Sequence, residues 1–82
     1  MAVLIPAKVA KEIRKDVPHE EWKGLRERLE RIARDPHGSH SDVKPFEDGY
    51  RVRHGVWRAI YVVNGNGDIE VVKAGHRRRI YR

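Results

Sequence analysis

The sequence contains no cysteine, and this absence excludes two ways of stabilising a small protein. Neither disulfide bonds nor thiolate metal sites can contribute, so the 82 residues must fold around one hydrophobic core. Long apolar runs are also missing, because Pro6 interrupts the opening run MAVLI. We therefore expect a single domain over residues 1–82, with neither a signal peptide nor a membrane span, located in the cytoplasm.

Acidic residues are scarce in the C-terminal part of the chain, and this scarcity explains the formal net charge of +6. Residues 1–48 contain 10 Lys and Arg and 10 Asp and Glu, whereas residues 49–82 contain 8 and 2. Seven of these eight cations are arginine, whose planar guanidinium suits bidentate contacts with phosphate. The charge distribution therefore predicts a polyanionic partner for the C-terminal block.

This C-terminal block, residues 49–82, has the pattern of three antiparallel strands connected in a meander. Short runs rich in Val, Ile and Tyr alternate with turn sequences, a spacing typical of strands. The first turn is predicted at His54-Gly55. The second lies within the sequence NGNG of residues 64–67, where Asn-Gly is a strong hairpin signal.

Registering the two hairpins brings five of the eight cations of this block to one face of the sheet. A two-residue first turn puts Arg51 opposite Arg58, because cross-strand partners share a face. It also puts Arg53 opposite Val56, and the second turn then pairs Val56 with Arg77. The predicted cationic face contains Arg51, Arg53, Arg58, Lys73 and Arg77.

The opposite face is predicted to be apolar and to pack against helices. Its side chains are Tyr50, Val52, Trp57, Ala59, Tyr61, Val63, Val72 and Ala74. The same alternation places four apolar residues on the cationic face, toward its other end: Ile60, Val62, Ile69 and Val71. A β-bulge or a turn of odd length would reverse such assignments.

The N-terminal half is predicted to form a short strand and two helices. Residues 2–5 have the composition of a strand, and Pro6 suits the first turn of a helix that continues to Asp16. Pro18 begins a second helix, which Asp35 ends. Apolar residues recur in this helix at helical spacing, namely Trp22, Leu25, Leu29 and Ile32.

The charges of the second helix are predicted to be solvated and to pair with each other. Glu27 and Arg31 have the i,i+4 spacing of such pairs, as do Glu30 and Arg34. Residues 37–48 then have the Gly, Ser, Pro and Asp content of a loop. The resulting order is β-α-α-β-β-β, an α+β fold in which a helical hairpin packs on one face of a mostly antiparallel sheet.

The C-terminal block also carries the marks of a known family. The segments GYRVRHGVWRAIYVV and VVKAGHRRRIYR contain a basic pair on one strand, an arginine in a G-x-[YW]-R-x-x-Y sequence and a closing G-[HK]-R-x-x-x-Y sequence. Together with the order of elements over nearly the whole chain, these marks resemble the RelE branch of the RelE/ParE superfamily, toxins of prokaryotic type II toxin–antitoxin systems.

The resemblance implies a RelE-like fold and an endoribonuclease that cleaves mRNA in the ribosomal A site and inhibits translation. The implied partners are the ribosome, mRNA and a cognate antitoxin in a hetero-oligomer, without a membrane, a cofactor or a metal. We expect an acidic or amphipathic antitoxin segment to cover the sheet near the arginines. The implied catalytic residues are Arg51, Arg53, Arg58, Arg77 and Tyr81. The residues interpreted as RNA-backbone contacts are Lys73, Arg78, Arg79 and Arg82.

Proton transfer is the step for which the arginines are least suited. Arginine stabilises developing negative charge, but its pKa lies above about 12, far from the working pH of an efficient acid or base. Much of the RelE branch has lysine where this chain has Arg51 and Arg53. The departure moves proton transfer to Tyr81, with His54 and His76 as further candidates by residue type.

Alternative interpretations concern both the function and single residues. The cationic face is also consistent with a phosphate-binding surface without catalysis, or with a ParE-like gyrase inhibitor that does not need Arg77 and Tyr81. A separate alternative for Tyr81 is a C-terminal anchor that packs on the sheet. The register puts His76 opposite Trp57 on the apolar face, as is typical of a structural histidine, and His54 in a turn. A metal site is disfavoured for the candidate ligands Asp35, His37, His40 and Asp42.

Overall fold

The computed structural model describes residues 2–80. Strand β1 spans Val3–Leu4, and it is followed by helix α1 at Ala7–Asp16 and helix α2 at His19–Arg34. Four strands come next, namely β2 at Val43–Phe46, β3 at Gly49–His54, β4 at Trp57–Val63 and β5 at Ile69–His76, before the short helix α3 at Arg77–Ile80. The strands form one sheet in the order β1-β5-β4-β3-β2. Strand β1 is parallel to β5, and the other pairings are antiparallel. The predicted α+β class is confirmed.

Proline and charge set the limits of the two longer helices. Pro6 and Pro18 precede α1 and α2, each with φ near −55° that leads the chain into a helix without needing an N–H donor. Glu20 and Glu21 lie in the first turn of α2, where acidic groups complement the helix dipole. Within residues 2–80, no helix combines the length and the apolar character needed to cross a membrane.

The hydrophobic core lies between α2 and the sheet. Leu25, Leu29 and Ile32 are fully buried on one stripe of α2, as the helical spacing predicts. They pack against Val52 of β3 and Tyr61 of β4, which are buried on the sheet face that carries the helices. Helices α1 and α2 do not cover the opposite face of the sheet, and α3 contacts its β4 and β5 part.

A β-bulge in β5 corrects the predicted faces beyond Ile60. Ile60 pairs with Lys73, but the next residue, Tyr61, pairs with Val71, so that Val72 is an extra residue in its strand. As a result Val71 is buried on the helix side and Val72 is 42% exposed, the reverse of the prediction. Ile69 follows Val71 into the core in the same way.

The segment predicted as a loop contains an edge strand. Strand β2 pairs with β3, with Lys44 opposite Arg51 and Phe46 opposite Gly49. Pro45 is tolerated because an edge strand has one row of backbone groups that needs no partner strand. Its presence, together with the lack of apolar alternation, conceals this strand in the sequence. The fold therefore has one strand more than predicted, and the helix α3 is also additional.

The first hairpin turns one residue later than predicted. The turn residues are Gly55 and Val56, and Gly55 has φ +61°, which glycine adopts at little cost. Arg53 therefore pairs with Arg58, and Arg51 pairs with Ile60, so the predicted partners of both arginines were wrong. Each residue of β3 therefore pairs with a β4 residue that lies two positions later than predicted. Because the shift is even, every side chain of the hairpin stays on its predicted face.

Candidate functional site

The sheet face opposite α1 and α2 carries a concentration of arginines. Arg51 and Arg53 alternate along β3, and Arg58 lies beside Arg53 on β4. We call this surface, with Lys73 of β5, the arginine face. Its β5 side is partly covered by α3, because Ile80 lies 3.7 Å from the position that a side-chain carbon would take at Gly75.

A cleft of about 580 Å³ opens beside the first hairpin turn, and we call it the arginine cleft. Its lining residues are Arg28, Ser41, Asp42, Arg53, Gly55, Arg58 and Arg77. Three of the predicted site residues therefore meet in one place, together with an arginine from helix α2. Arg51 lies on the same sheet face, half-buried and opposite Lys44, but it does not line the cleft.

Arg58 is the deepest cation of the cleft, with 8% of its surface exposed. Its Nη1 donates hydrogen bonds to the carbonyl oxygens of Gly55 at 2.6 Å and Trp57 at 3.0 Å. Its Nε is buried without a hydrogen-bond partner among residues 2–80. Within that range no carboxylate forms an ion pair with this guanidinium. The arrangement leaves a buried positive charge that an anion in the cleft would compensate.

Arg77 reaches the cleft from helix α3 rather than from a strand. The sequence predicted this residue opposite Val56, and its backbone N–H does donate to the Val56 carbonyl oxygen at 2.8 Å. The chain becomes helical at that point, which leaves the Arg77 side chain exposed at the cleft. Arg53 is exposed as well. Two accessible guanidinium groups therefore flank the buried one.

Asp42 is the acidic residue of the cleft lining, and two arginines of α2 bind it. Arg31 Nη2 donates to one carboxylate oxygen at 2.6 Å and Arg28 Nη1 to the other at 2.8 Å. Burial alone would raise the pKa of Asp42, but the hydrogen bonds from Arg31 and Arg28 outweigh it and hold the pKa below its ordinary value of 3.8. Asp42 therefore stays ionised, with its charge already shared by two cations.

The pairing within α2 differs from the prediction. Arg31 bonds Asp42 rather than Glu27, and Glu30 pairs with Arg26 at 3.1 Å rather than with Arg34. Helical spacing brings several charges within reach of each other. For Arg31, the carboxylate of Asp42 in the segment before β2 is the stronger partner, because it is mostly removed from water.

The family of the chain follows from comparison with known proteins. The family model for the ParE toxin of type II toxin–antitoxin systems, parDE, matches residues 7–81. The chain belongs to this family. The sequence resemblance to the RelE/ParE superfamily is thereby confirmed. No curated protein matches the sequence.

Solved structures similar to this ParE-family toxin have the same fold. It is similar to the toxin–antitoxin complex RelBE2 from Mycobacterium tuberculosis, with TM-score 0.72 and 17% identity over 93% of this chain and 96% of that chain. The RelB–RelE complex from Methanococcus jannaschii gives TM-score 0.72 and 26% identity over 95% and 94%. The intact RelBE complex from E. coli gives TM-score 0.63 and 20% identity over 92% and 99%.

His54 of the toxin has a role that the sequence did not reveal. It ends β3 rather than lying in the turn, and its Nδ1 accepts a hydrogen bond from Arg28 Nε at 3.1 Å. Its Nε2 lies 3.5 Å from a carboxylate oxygen of Glu21. A carbon added at Gly24 would come within 2.5 Å of the same nitrogen, so the helix glycine makes room for the ring. An isolated glycine inside a strong helix pattern was the available signal for this close contact.

The other candidate residues of the toxin lie in different surroundings. His76 pairs with Trp57 on the helix side and contacts it edge to face, with ring centroids 5.5 Å apart, as the register predicted. Lys73 and Arg78 are exposed, whereas Arg79 bonds Asp16 of α1 at 2.9 Å. Tyr81 and Arg82 lie outside the described residues. In the described part of the chain, no three acidic or histidine side chains form a cluster that would hold a metal ion.

Proposed function

We propose that this toxin is an endoribonuclease that cleaves mRNA in the ribosomal A site and inhibits translation. The observation that carries the proposal is the buried guanidinium of Arg58, which has no carboxylate partner within residues 2–80. A phosphodiester bound in the cleft would supply the missing negative charge. Arg53 and Arg77 flank the same space and suit the non-bridging oxygens of that phosphodiester.

The proposed reaction is attack of an RNA 2′-hydroxyl on the adjacent phosphorus, with departure of the 5′-oxygen. As the bond between the 2′-oxygen and phosphorus forms, a base takes the hydroxyl proton, and negative charge grows on the phosphorane oxygens. As the bond between phosphorus and the 5′-oxygen breaks, an acid gives that oxygen a proton, which leaves a 2′,3′-cyclic phosphate and a 5′-hydroxyl. Arg53, Arg58 and Arg77 would stabilise this charge as preorganised donors, an effect that is often the largest contribution to catalysis. The scheme uses neither a metal nor a cofactor.

We assign proton transfer to Tyr81, which follows Arg77 by four residues in the sequence. This role requires the phenol to approach the arginines of the cleft, whose positive charge would stabilise its anion. His54 is a weaker candidate than its residue type suggests, because Arg28 and Glu21 already contact its two ring nitrogens. His76 is weaker too, since its ring packs against Trp57 on the other face of the sheet.

Other cations of residues 49–82 would bind the RNA on either side of the cleaved bond. Arg51 continues the arginine face away from the cleft, and Lys73 and Arg78 are exposed. Together with Arg82 we assign them to backbone contacts, which position the RNA without reading its sequence. Arg79 joins this group only if its ion pair with Asp16 opens.

A cognate antitoxin is the proposed protein partner. The similar solved structures are toxin–antitoxin complexes from three organisms, which supports an assembly of this kind here. An acidic or amphipathic segment would neutralise the arginine face and block the approach of mRNA. The toxin would then reach the ribosome only after release from the hetero-oligomer.

Inhibition of DNA gyrase is the second candidate function. It is favoured by one observation, the match of residues 7–81 to the family named for ParE. This function would act through binding of a topoisomerase and would leave mRNA intact. The buried Arg58 and the accessible Arg53 and Arg77 around one cleft fit a bound phosphodiester better, so we rank mRNA cleavage first.

Mapping mRNA 5′ ends in a translating extract separates the two functions. After addition of the purified toxin we expect new ends within codons, and we expect none when initiation is blocked, because cleavage requires an occupied ribosome. A parallel incubation of gyrase with plasmid DNA provides the second arm. Intact mRNA would contradict the proposed cleavage, and gyrase-linked DNA breaks would assign the toxin to the second function.

A further inference from the structure

Helix α2 contributes an arginine to a cleft whose other lining residues come from β3, β4, the turn between them, the segment before β2 and helix α3. Arg28 lines the arginine cleft, although it lies 23 positions before the nearest predicted site residue in the sequence, Arg51. The lining contains four arginines and one carboxylate, that of Asp42. This carboxylate also accepts a hydrogen bond from Arg31, which does not line the cleft. The cleft therefore has a large excess of positive charge.

The Arg28 guanidinium is held in place from two directions. Its Nε donates to His54 Nδ1 at 3.1 Å, and its Nη1 donates to Asp42 at 2.8 Å. A guanidinium has five N–H donors. Within residues 2–80, the Arg28 side chain donates the two hydrogen bonds to His54 and Asp42. The side chain is 37% exposed. Donors that are fixed in orientation thus remain available toward the cleft.

We propose that Arg28 binds a second phosphate of the same RNA strand, next to the phosphate held by Arg53, Arg58 and Arg77. The reason is charge: one phosphodiester carries a single negative charge, and together with Asp42 it balances two of the four guanidinium groups. Ser41 also lines the cleft, and its hydroxyl can donate to a phosphate bound there. The inference rests on the proposed function in taking RNA as the ligand.

Arg31 provides a matched control for a purely structural role of Arg28. Both arginines are on α2, both donate one hydrogen bond to Asp42, and their side chains are similarly exposed at 37% and 42%. They differ in two respects, since Arg28 also bonds His54 and lines the cleft, whereas Arg31 does neither. If Arg28 only positioned Asp42, then Arg28→Gln and Arg31→Gln would change RNA binding equally.

The test is the salt dependence of RNA binding, measured by fluorescence anisotropy. The probe is a labelled single-stranded RNA with 2′-O-methyl groups, which cannot be cleaved through its own 2′-oxygen. For Arg28→Gln we expect roughly tenfold weaker binding. We also expect the slope of log affinity against log salt to fall by about 0.7, the contribution of one phosphate contact in a single strand. Arg31→Gln should retain the wild-type slope, and Arg28→Lys should restore it.

Two results would overturn this inference. One is an equal change of slope in Arg28→Gln and Arg31→Gln, or no change in either. The other is a difference between these variants for an acidic peptide but not for RNA, which would assign the cleft to a protein partner. Thermal unfolding of each variant shows whether it is folded. If Arg28→Gln does not fold, the salt dependence is measured with Arg28→Lys, which keeps the positive charge.

Failure of the inference and failure of the proposed function give different results. If Arg28→Gln lowers the slope of log affinity against log salt but the toxin leaves translated mRNA intact, the second phosphate contact is supported and the proposed cleavage is contradicted. If the toxin cuts translated mRNA but Arg28→Gln keeps the wild-type slope, only the contact between Arg28 and a second phosphate is contradicted.

Discussion

Asp42 shows how a carboxylate can belong to an arginine-rich cleft without neutralising it. Its side chain is 12% exposed, and its two oxygens accept hydrogen bonds from separate guanidinium groups on α2. Burial opposes the charged form, but the bonds from Arg31 and Arg28 more than compensate, so the pKa lies below 3.8. The residue fastens the segment before β2 to helix α2 and orients Arg28 at the same time.

The lowered pKa of Asp42 makes part of the stability dependent on pH. Because the pKa in the folded state is below that of the unfolded chain, the stabilisation is complete above about pH 4 and is lost as pH falls through the folded value. We expect Asp42→Asn to lower the free energy of unfolding at pH 6, and the difference from wild type to shrink toward pH 2. Urea unfolding across this range measures it.

The exposed Asp48 supplies the control for this experiment, since Asp48→Asn removes one negative charge of the same kind from the surface. Its difference from wild type should stay small at every pH. A difference for Asp42→Asn that is as large at pH 2 as at pH 6 would show that ionisation of Asp42 does not stabilise the fold.

At the scale of elements, the contact between α2 and the end of β3 depends on a glycine. Gly24 lies in the middle of α2, where alanine would improve helix propensity by about 1 kcal/mol. The imidazole of His54 occupies the space that an alanine side chain would need, with 2.5 Å between the two positions. The helix therefore keeps a weaker residue in order to hold His54 against Arg28 and Glu21.

A double-mutant cycle tests this contact. In a His54→Ala background, Gly24→Ala should stabilise the protein by about 1 kcal/mol, because only the gain in helix propensity remains. In wild type the same substitution should give no gain, since His54 must move and its bond with Arg28 is lost. Denaturant unfolding of the four proteins yields the coupling energy. The same gain in both backgrounds would mean that the glycine does not serve His54.

The sequence determined the faces of β3 and β4 but not those of the first half of β5. Alternation along a strand and even turn lengths fix which residues share a face, so Arg51, Arg53 and Arg58 were placed correctly although the first turn was not. The bulge at Val72 breaks this reasoning. Ile69, Val71 and Val72 are apolar and Glu70 pairs with the apolar Val62, so no local pattern marks the extra residue. Only packing against the core decides which of them is buried.

Contacts between distant elements were the part of the site that the sequence concealed. Arg28 belongs to a helix whose charges have i,i+4 spacing, a pattern that predicts solvated pairs. Its place in the cleft depends on how α2 crosses the sheet and on Asp42, in a segment without a clear pattern. Helical periodicity shows which stripe is buried, but not which polar residue reaches a neighbouring strand.

At the scale of the whole molecule, the sheet separates the hydrophobic core from the arginine face. One face carries α2 and the core, with Leu25, Leu29 and Ile32 fully buried. The other carries the arginine face, with Arg51, Arg53, Arg58 and Lys73. The core therefore does not depend on the exposed cations of the cleft, and exposed Arg53 and Arg77 can be substituted with little effect on stability.

The central claim is that the arginine cleft cleaves mRNA, and the rate of single-turnover cleavage of ribosome-bound mRNA by Arg77→Gln tests it most directly. We expect a decrease of roughly 10²–10³, the usual effect of removing one preorganised donor from a developing negative charge. Arg34→Gln, an exposed arginine of α2 outside the cleft, should cleave at the wild-type rate. Cleavage by Arg77→Gln at the wild-type rate would contradict the account.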